Sequence, residues 1–121
     1  MKVADSSFIV EALLKKKELL EEEDSLVTPD LAVHETCSTI WKHQCLLKDL
    51  DDGLPYISIL YGLIESGKIR VIPTGQELME RAYSLAAKKR LPVYDTLFVA
   101  LSLELGLKLA TFDQRQAELL K

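Results

Sequence analysis

Four acids stand where a strand gives way to a helix or a helix opens: Asp5 in Val3-Ala4-Asp5-Ser6-Ser7, Glu35 in the helical pattern after Pro29, Asp95 in Tyr94-Asp95-Thr96, and Asp113 in Thr111-Phe112-Asp113. Carboxylates that converge could hold a hard, oxygen-preferring cation. Taken singly, each has a plainer reading. Asp5 and Asp113 sit where an Asp caps a helix through its free backbone amides, and Asp95 could cap the amides near Phe98. Glu35 could be a solvated helix glutamate paired with Thr39 or Lys42. Asp95 is the hardest to set aside, because Leu97, Phe98, Val99, Ala100, Leu101 and Leu103 leave its helix little exposed surface, and a lone carboxylate at its mouth is partly desolvated. The acids gain weight only as a set.

Competing chemistries lack their residues. His34, Cys37 and His43 do not form ligand pairs at zinc-site spacing. A signalling receiver needs a phosphorylatable Asp after its third strand, where this chain reads Ile72-Pro73-Thr74-Gly75, and paired acids after its first. A phosphatase of the haloacid dehalogenase type needs Asp-x-Asp after strand one, where Asp5-Ser6-Ser7 stands. The basic residues Lys15, Lys16, Lys42, Arg70, Lys88, Lys89, Arg90 and Arg115 could guide a polyanion, but ordinary solvation explains most of them.

The elements that must position the acids alternate short β-branched runs with helical periods, the pattern of a parallel sheet covered by helices on both faces. Lys2 to Asp5 reads as a strand, and Ser6 to about Glu22 as one helix with Phe8, Ile9, Ala12, Leu13, Leu19 and Leu20 on its apolar side. Leu26 to Thr28 is a second strand. Thr28-Pro29-Asp30 then supplies a cap hydroxyl, a first-turn proline and a dipole-favoured charge for a helix running to about Leu47. In that helix Val33, Cys37, Ile40 and Trp41 read as core-facing, and Glu35 shares another side with Leu31, Ser38, Thr39 and Lys42. Asp51 to Gly67 is a helix with Ile57, Leu60, Tyr61 and Ile64 on one stripe, followed by a strand over Ile69 to Pro73. Gln76 to Arg90 and Tyr94 to Leu105 are helices separated by Pro92, Lys108 to Thr111 is a fourth strand, and a last helix runs from Asp113 through Lys121. The charge run from Lys15 to Asp24 is a solvated helix face.

Composition bounds the reading. The 121 residues make one domain, and 48% hydrophobic with 28% charged residues can build a core. A net charge of -4 gives no overall attraction to phosphate, so nucleic-acid binding would need local basic patches or metal ions that invert the carboxylate field. Two cysteines, Cys37 and Cys45, make no disulfide framework, and no run approaches the roughly 20 apolar residues of a membrane span. A cytoplasmic protein without membrane association is expected.

The order strand-Asp5-Ser6, Glu35 early in a helix, Asp95 at a buried helix start and Thr111-Phe112-Asp113 after a strand resembles the PIN-domain family over nearly the whole chain. The resemblance implies a single three-layer α/β/α domain over residues 1–121, with a central parallel sheet of four or five strands. It implies a Mg²⁺- or Mn²⁺-dependent ribonuclease, and for a domain of this size a toxin of the VapC type: RNA as substrate, a cognate antitoxin as partner, and a homodimer. Asp5, Glu35, Asp95 and Asp113 match the metal-site acids, which are also the catalytic set, and Ser6 and Thr111 match hydroxyl positions that hold the pocket. A metal in such a pocket can turn a water into a nucleophile, and a second, roughly 4 Å away, can stabilise the leaving oxygen. Some relatives carry a further acid where this chain has Gln116, which implies a weaker second metal site. The alternative is a catalytically silent module of the same fold that binds RNA or protein.

Overall fold

Strands that pair in parallel are buried on both faces, and four short apolar runs of the chain meet that condition. The computed structural model describes residues 1–120; the expectation that the last helix continues to Lys121 lies outside them. In chain order the elements are β1 (Lys2–Ala4), α1 (Ser6–Leu14), α2 (Glu18–Glu21), β2 (Leu26–Pro29), α3 (Leu31–Cys45), α4 (Leu54–Glu65), β3 (Ile69–Ile72), α5 (Gln76–Lys89), α6 (Val93–Leu105), β4 (Leu109–Ala110) and α7 (Gln114–Leu119). The strands form one parallel sheet in the order β3-β2-β1-β4, with Val3 opposite Val27 on one side and Leu109 on the other.

Side chains alternate across the sheet and feed two cores. Ala4, Leu26 and Ile69 face Phe8 and Ile9 of α1, Ile40 of α3 and Leu60 of α4. Val3 and Val27 face the opposite layer, where Leu78 and Ala82 of α5 pack with Leu97, Ala100 and Leu101 of α6. Thr28 is fully buried and its hydroxyl donates to the Ala4 carbonyl at 2.7 Å, a side-chain tie between adjacent strands. Helix ends follow local chemistry: Gly106 at φ 66° closes α6, and Gly67 at φ 83° turns the chain from α4 toward β3.

The topology decides where a ligand can sit. From β1 the chain builds β2 and β3 outward on one side, then returns through α5 and α6 to lay β4 on the other side of β1. Connections that diverge in this way open a crevice beyond the carboxyl ends of the strands, here between β1 and β4. Asp5 and Asp113 follow those two strands.

Several expectations shift. The single helix from Ser6 to Glu22 is two, because the amides of Lys15 and Lys16 both donate to the Glu11 carbonyl, at 3.0 and 2.9 Å, which closes α1. The turn through three exposed lysines then re-aims the chain so that Leu19 and Leu20 reach the core. Thr28 does not cap α3; its hydroxyl is spent on Ala4, and Pro29 ends β2, so Asp30 takes the cap by accepting from the Leu31 amide at 3.0 Å. Trp41 is 53% exposed, since α3 turns the row Ala32, Thr36 and Ile40 to the core and Trp41 lies about 100° around the helix from Ile40. Tyr61 is exposed for the same reason, and Leu60 is the buried residue of α4. Asp51 to Gly53 form the lead-in to α4, which starts at Leu54 with Pro55 in its first turn.

Replacing Thr28 by Val keeps the shape and removes the bond to Ala4. Urea denaturation is expected to show a loss of about 1–3 kcal/mol with an unchanged m-value; an unchanged midpoint would show that this tie contributes nothing.

Candidate functional site

Asp5 leaves the sheet at the end of β1 and immediately caps α1. Its Oδ1 accepts from the Ser7 hydroxyl at 2.6 Å and from the Phe8 amide at 3.0 Å, and its Oδ2 accepts from the Thr111 hydroxyl just past β4. The same small network reaches further. The Phe112 amide donates to Ser7 Oγ at 2.9 Å, the Asp113 amide donates to Thr111 Oγ1 at 2.8 Å, and the Phe8 and Phe112 rings stack at 5.9 Å. The two turns that carry Asp5 and Asp113 are thus sewn together. Asp113 caps α7 by accepting from the Arg115 amide at 2.9 Å.

Glu35 reaches the patch from α3, where its Oε1 accepts from the Ser6 hydroxyl at 3.2 Å. Asp95 arrives in the first turn of α6, which has no side-chain cap, so the capping alternative for Asp95 fails. Its carboxylate faces Arg115 instead: the guanidinium lies 3.8 Å from Asp95 Oδ1 through Nη2 and 3.8 Å from Asp113 Oδ1 through Nε. Arg115 therefore stands as a cation between two of the acids.

Electrostatics shows how the four acids relate. Burial pushes the Asp5 carboxyl above its ordinary value, the bonds from Ser7, Thr111 and Phe8 pull it partly back, and the negative charge of Asp113 pushes it up again. Burial also raises Glu35, the Ser6 bond opposes, and the charges of Asp5 and Asp95 add to the rise. The acids thus form a chain of mutual repulsion, from Asp113 through Asp5 and Glu35 to Asp95. Among the described residues no three His, Cys, Asp or Glu side chains stand close enough to grip one ion. The reason lies in the contacts: Asp5 is turned toward its own hydroxyl and amide donors, and Arg115 sits against Asp95 and Asp113.

The sequence profile of the PIN domain matches residues 2–120. The chain belongs to the PIN-domain family. It is similar to Ribonuclease VapC3 of Pyrobaculum aerophilum, at 30% identity over 98% of this chain and 94% of the relative. Among solved structures it resembles Mycobacterium tuberculosis VapC20, a toxin that cleaves the sarcin-ricin loop, with a TM-score of 0.74 and 16% identity over 98% of this chain and 94% of that one. Another protein of Pyrobaculum aerophilum gives a TM-score of 0.79 at 17% identity over 98% and 83% of the two chains. A toxin-antitoxin complex from Klebsiella pneumoniae gives 0.71 at 12% identity over 96% and 89%. These structural likenesses establish the PIN fold.

Within that fold, Ser7 and Arg115 are the contributors that the sequence left in the background. Ser7 could have been found from the cap, because the residue two after a capping Asp can return its hydroxyl to the same carboxylate. Arg115 was one basic residue among many, and only the close approach of α6 and α7 singles it out. Gln116, at the position where some PIN relatives have an acid, is 5% exposed and its Oε1 has no hydrogen-bond partner. A larger cavity of about 780 Å³, lined by Leu13, Lys15, Asp49 and Tyr56, lies beyond the far end of α1 and includes none of the four acids.

The raised carboxyls fix the sign of the pH dependence. Folded protein holds protons on Asp5 and Glu35 more tightly than the unfolded chain, whose carboxyls titrate near 3.8 and 4.5. The contribution of these two groups to stability is therefore full where both are protonated and is lost as pH rises from those values through the raised folded ones. In EDTA, Glu35→Gln is expected to gain on wild type as pH climbs above 4.5, as measured by denaturant midpoints from below 3.8 to neutrality. A gap between the two proteins that does not change with pH would contradict the repulsion.

Proposed function

We propose that the chain is a Mg²⁺- or Mn²⁺-dependent endoribonuclease, the toxin of a toxin-antitoxin pair, with Asp5, Glu35, Asp95 and Asp113 as its metal-holding, catalytic acids. The observation that carries the reading is the electrostatic coupling of four carboxylates near the switch point of a PIN fold, with Asp5 and Glu35 held above their ordinary pKa by burial and by neighbouring acids. The charge of a divalent cation would relieve the repulsion, and an all-carboxylate donor set suits a hard ion. When bound, the cation supplies the Lewis acidity that phosphodiester hydrolysis requires.

The chain's own groups have supporting roles. Ser6 orients Glu35, while Ser7 and Thr111 hold both oxygens of Asp5. The hydroxyls are engaged in holding the acids. Ser7 donates to Asp5 and accepts from Phe112, Thr111 donates to Asp5 and accepts from the Asp113 amide, and burial pushes the Cys37 thiol up, away from the reactive thiolate. A water activated by the cation is the nucleophile this reading assigns, with hydrolysis as the reaction. Arg115 compensates charge between Asp95 and Asp113 and would be the group that an arriving cation displaces.

The name of the 30%-identical Ribonuclease VapC3 supports RNA as the substrate, and the fold shared with the Klebsiella pneumoniae toxin-antitoxin complex is consistent with an antitoxin partner. Exposed Trp41, Leu46, Leu47 and Leu54 offer uncovered apolar surface for that partner or for a second copy of the chain. Free Cys37 and Cys45 suit a reducing cytoplasm, and no helix among the described residues is long and apolar enough to cross a membrane. The neutral Gln116 favours the second reading, a silent binding module, because it adds no charge to the patch.

RNA cleavage is expected to appear on titration of Mg²⁺ or Mn²⁺, to stop in EDTA, and to fall by about 10²-fold or more in Asp95→Asn; cleavage that persists in EDTA would remove the mechanism, and none under any condition would select the silent module. Arg115→Ala is expected to enlarge the rise in melting temperature that Mn²⁺ produces, because the ion no longer competes with a guanidinium. An equal or smaller rise would show that Arg115 does not occupy the cation's place.

A further inference from the structure

Along the carboxyl edge of the sheet, the residues beyond the strand ends run Thr74, Asp30, Asp5 and Asp113, following the order β3-β2-β1-β4. Neighbouring strands lie about 4.8 Å apart, so the chain leaves the sheet at Asp30 one strand spacing from Asp5. A cavity of about 280 Å³ opens at Asp30, lined by Leu31, Met79, Tyr94 and Leu97 and, at its exposed side, by His34. His34 precedes Glu35 in α3, and Tyr94 precedes Asp95 in α6. Successive helix residues point about 100° apart, so the cavity and the acidic patch occupy adjacent faces of the same two helix starts.

The lining selects a kind of ligand. Its walls are apolar, and Tyr94 presents a ring that is 59% exposed. Its one fixed charge is Asp30, whose Oδ1 accepts from the Leu31 amide at 3.0 Å and the Thr74 hydroxyl at 2.7 Å, and whose Oδ2 accepts from the Thr74 amide at 3.3 Å. The Thr74 hydroxyl holds this carboxyl below its ordinary value, so it is ionised at neutral pH. Two bonds fill Oδ1, while Oδ2 keeps one acceptor position open. The volume falls just below the roughly 300–1,000 Å³ range of sites for drug-sized ligands, room for a single planar ring system and too little for a partner's helix.

We propose that this cavity is a base-binding subsite: it takes one unstacked nucleobase of single-stranded RNA, next to the phosphodiester at the carboxylates, stacked on Tyr94 and donating an N–H to Asp30. The proposal rests on the ribonuclease reading above and gives that site its substrate selectivity. Duplex RNA does not fit, because its bases are stacked and paired; a loop or single strand can splay a base outward. Bases that display an amino or imino N–H meet the open acceptor, whereas an abasic position has neither ring nor donor.

The test uses single-stranded RNA octamers, each with one 2-aminopurine at a different position, bound to the full-length protein in Ca²⁺. One position is expected to change its emission on binding. Tyr94→Ala should abolish that change and weaken binding about 5-fold or more, while Tyr83→Ala, another exposed tyrosine outside the cavity, should leave both intact. Met79→Trp, which fills the cavity from its exposed side, should act like Tyr94→Ala, and circular dichroism checks that each variant folds. In Mn²⁺ the cut should fall at a phosphodiester flanking the responding base. Binding with no position-specific change, or a change that survives Tyr94→Ala, overturns the subsite. RNA that is cut without a base signature removes the subsite and leaves the hydrolase; a base signature without cutting removes the hydrolase and leaves an RNA-binding subsite; RNA neither bound nor cut ends both.

Discussion

The molecule is organised around the carboxylate of Asp5, which is almost fully buried and would be costly there without donors on both oxygens. Ser7, Phe8 and Thr111 provide them, and each donor also acts elsewhere in the fold. The Phe8 amide lies in the first turn of α1, Ser7 binds the Phe112 amide, and Thr111 fixes the turn after β4. One side chain thus joins the first and last strands of the sheet, launches a helix and gives the crevice its innermost charge. The hydrogen bonds offset only part of the burial, since the net effect is still a raised pKa. The residual demand for positive charge is the physical origin of everything proposed about the site.

Arg115 answers that demand in part, from inside the chain. At 3.8 Å from both Asp95 and Asp113, with two-thirds of its side chain exposed, it offers a screened attraction rather than a locked ion pair. A group held this loosely neutralises the patch without sealing it. Structural and functional demands on the acids also coincide instead of competing: Asp5 and Asp113 cap α1 and α7, yet remain in the chain of repelling charges.

Much of this was legible in the residues. The strands follow from Val3-Ala4, Leu26-Val27, Ile69 to Ile72 and Leu109-Ala110, and the helix ends at Gly67 and Gly106 follow from a conformation that glycine adopts freely. The order of the motifs pointed to one end of the sheet for the four acids, and there Ser6 donates to Glu35 and Thr111 to Asp5, while the acids couple as a series rather than closing round one point. What escaped depends on tertiary competition for a single group. Thr28 has the look of a cap until a neighbouring strand offers its hydroxyl a buried carbonyl. Trp41 belongs to an apolar run, yet the orientation of α3 was set by Ala32, Thr36 and Ile40. Asp30 read as a dipole-favoured first-turn acid, and its bonds to Thr74, 44 residues on, carry no local signal.

The pairing of β1 with β4 also fixes when a site can exist. Val3 meets Leu109, and Asp5 receives the hydroxyl of Thr111, so the opening residues wait for almost the last ones before their surroundings are complete. A chain with β1, β2 and β3 assembled but β4 not yet docked has Asp5 and Glu35 in place but neither Thr111 nor Asp113 beside them. Without the turn after β4, one oxygen of the buried Asp5 carboxylate has no donor, so the innermost charge of the crevice is settled only when the two halves of the sheet have met.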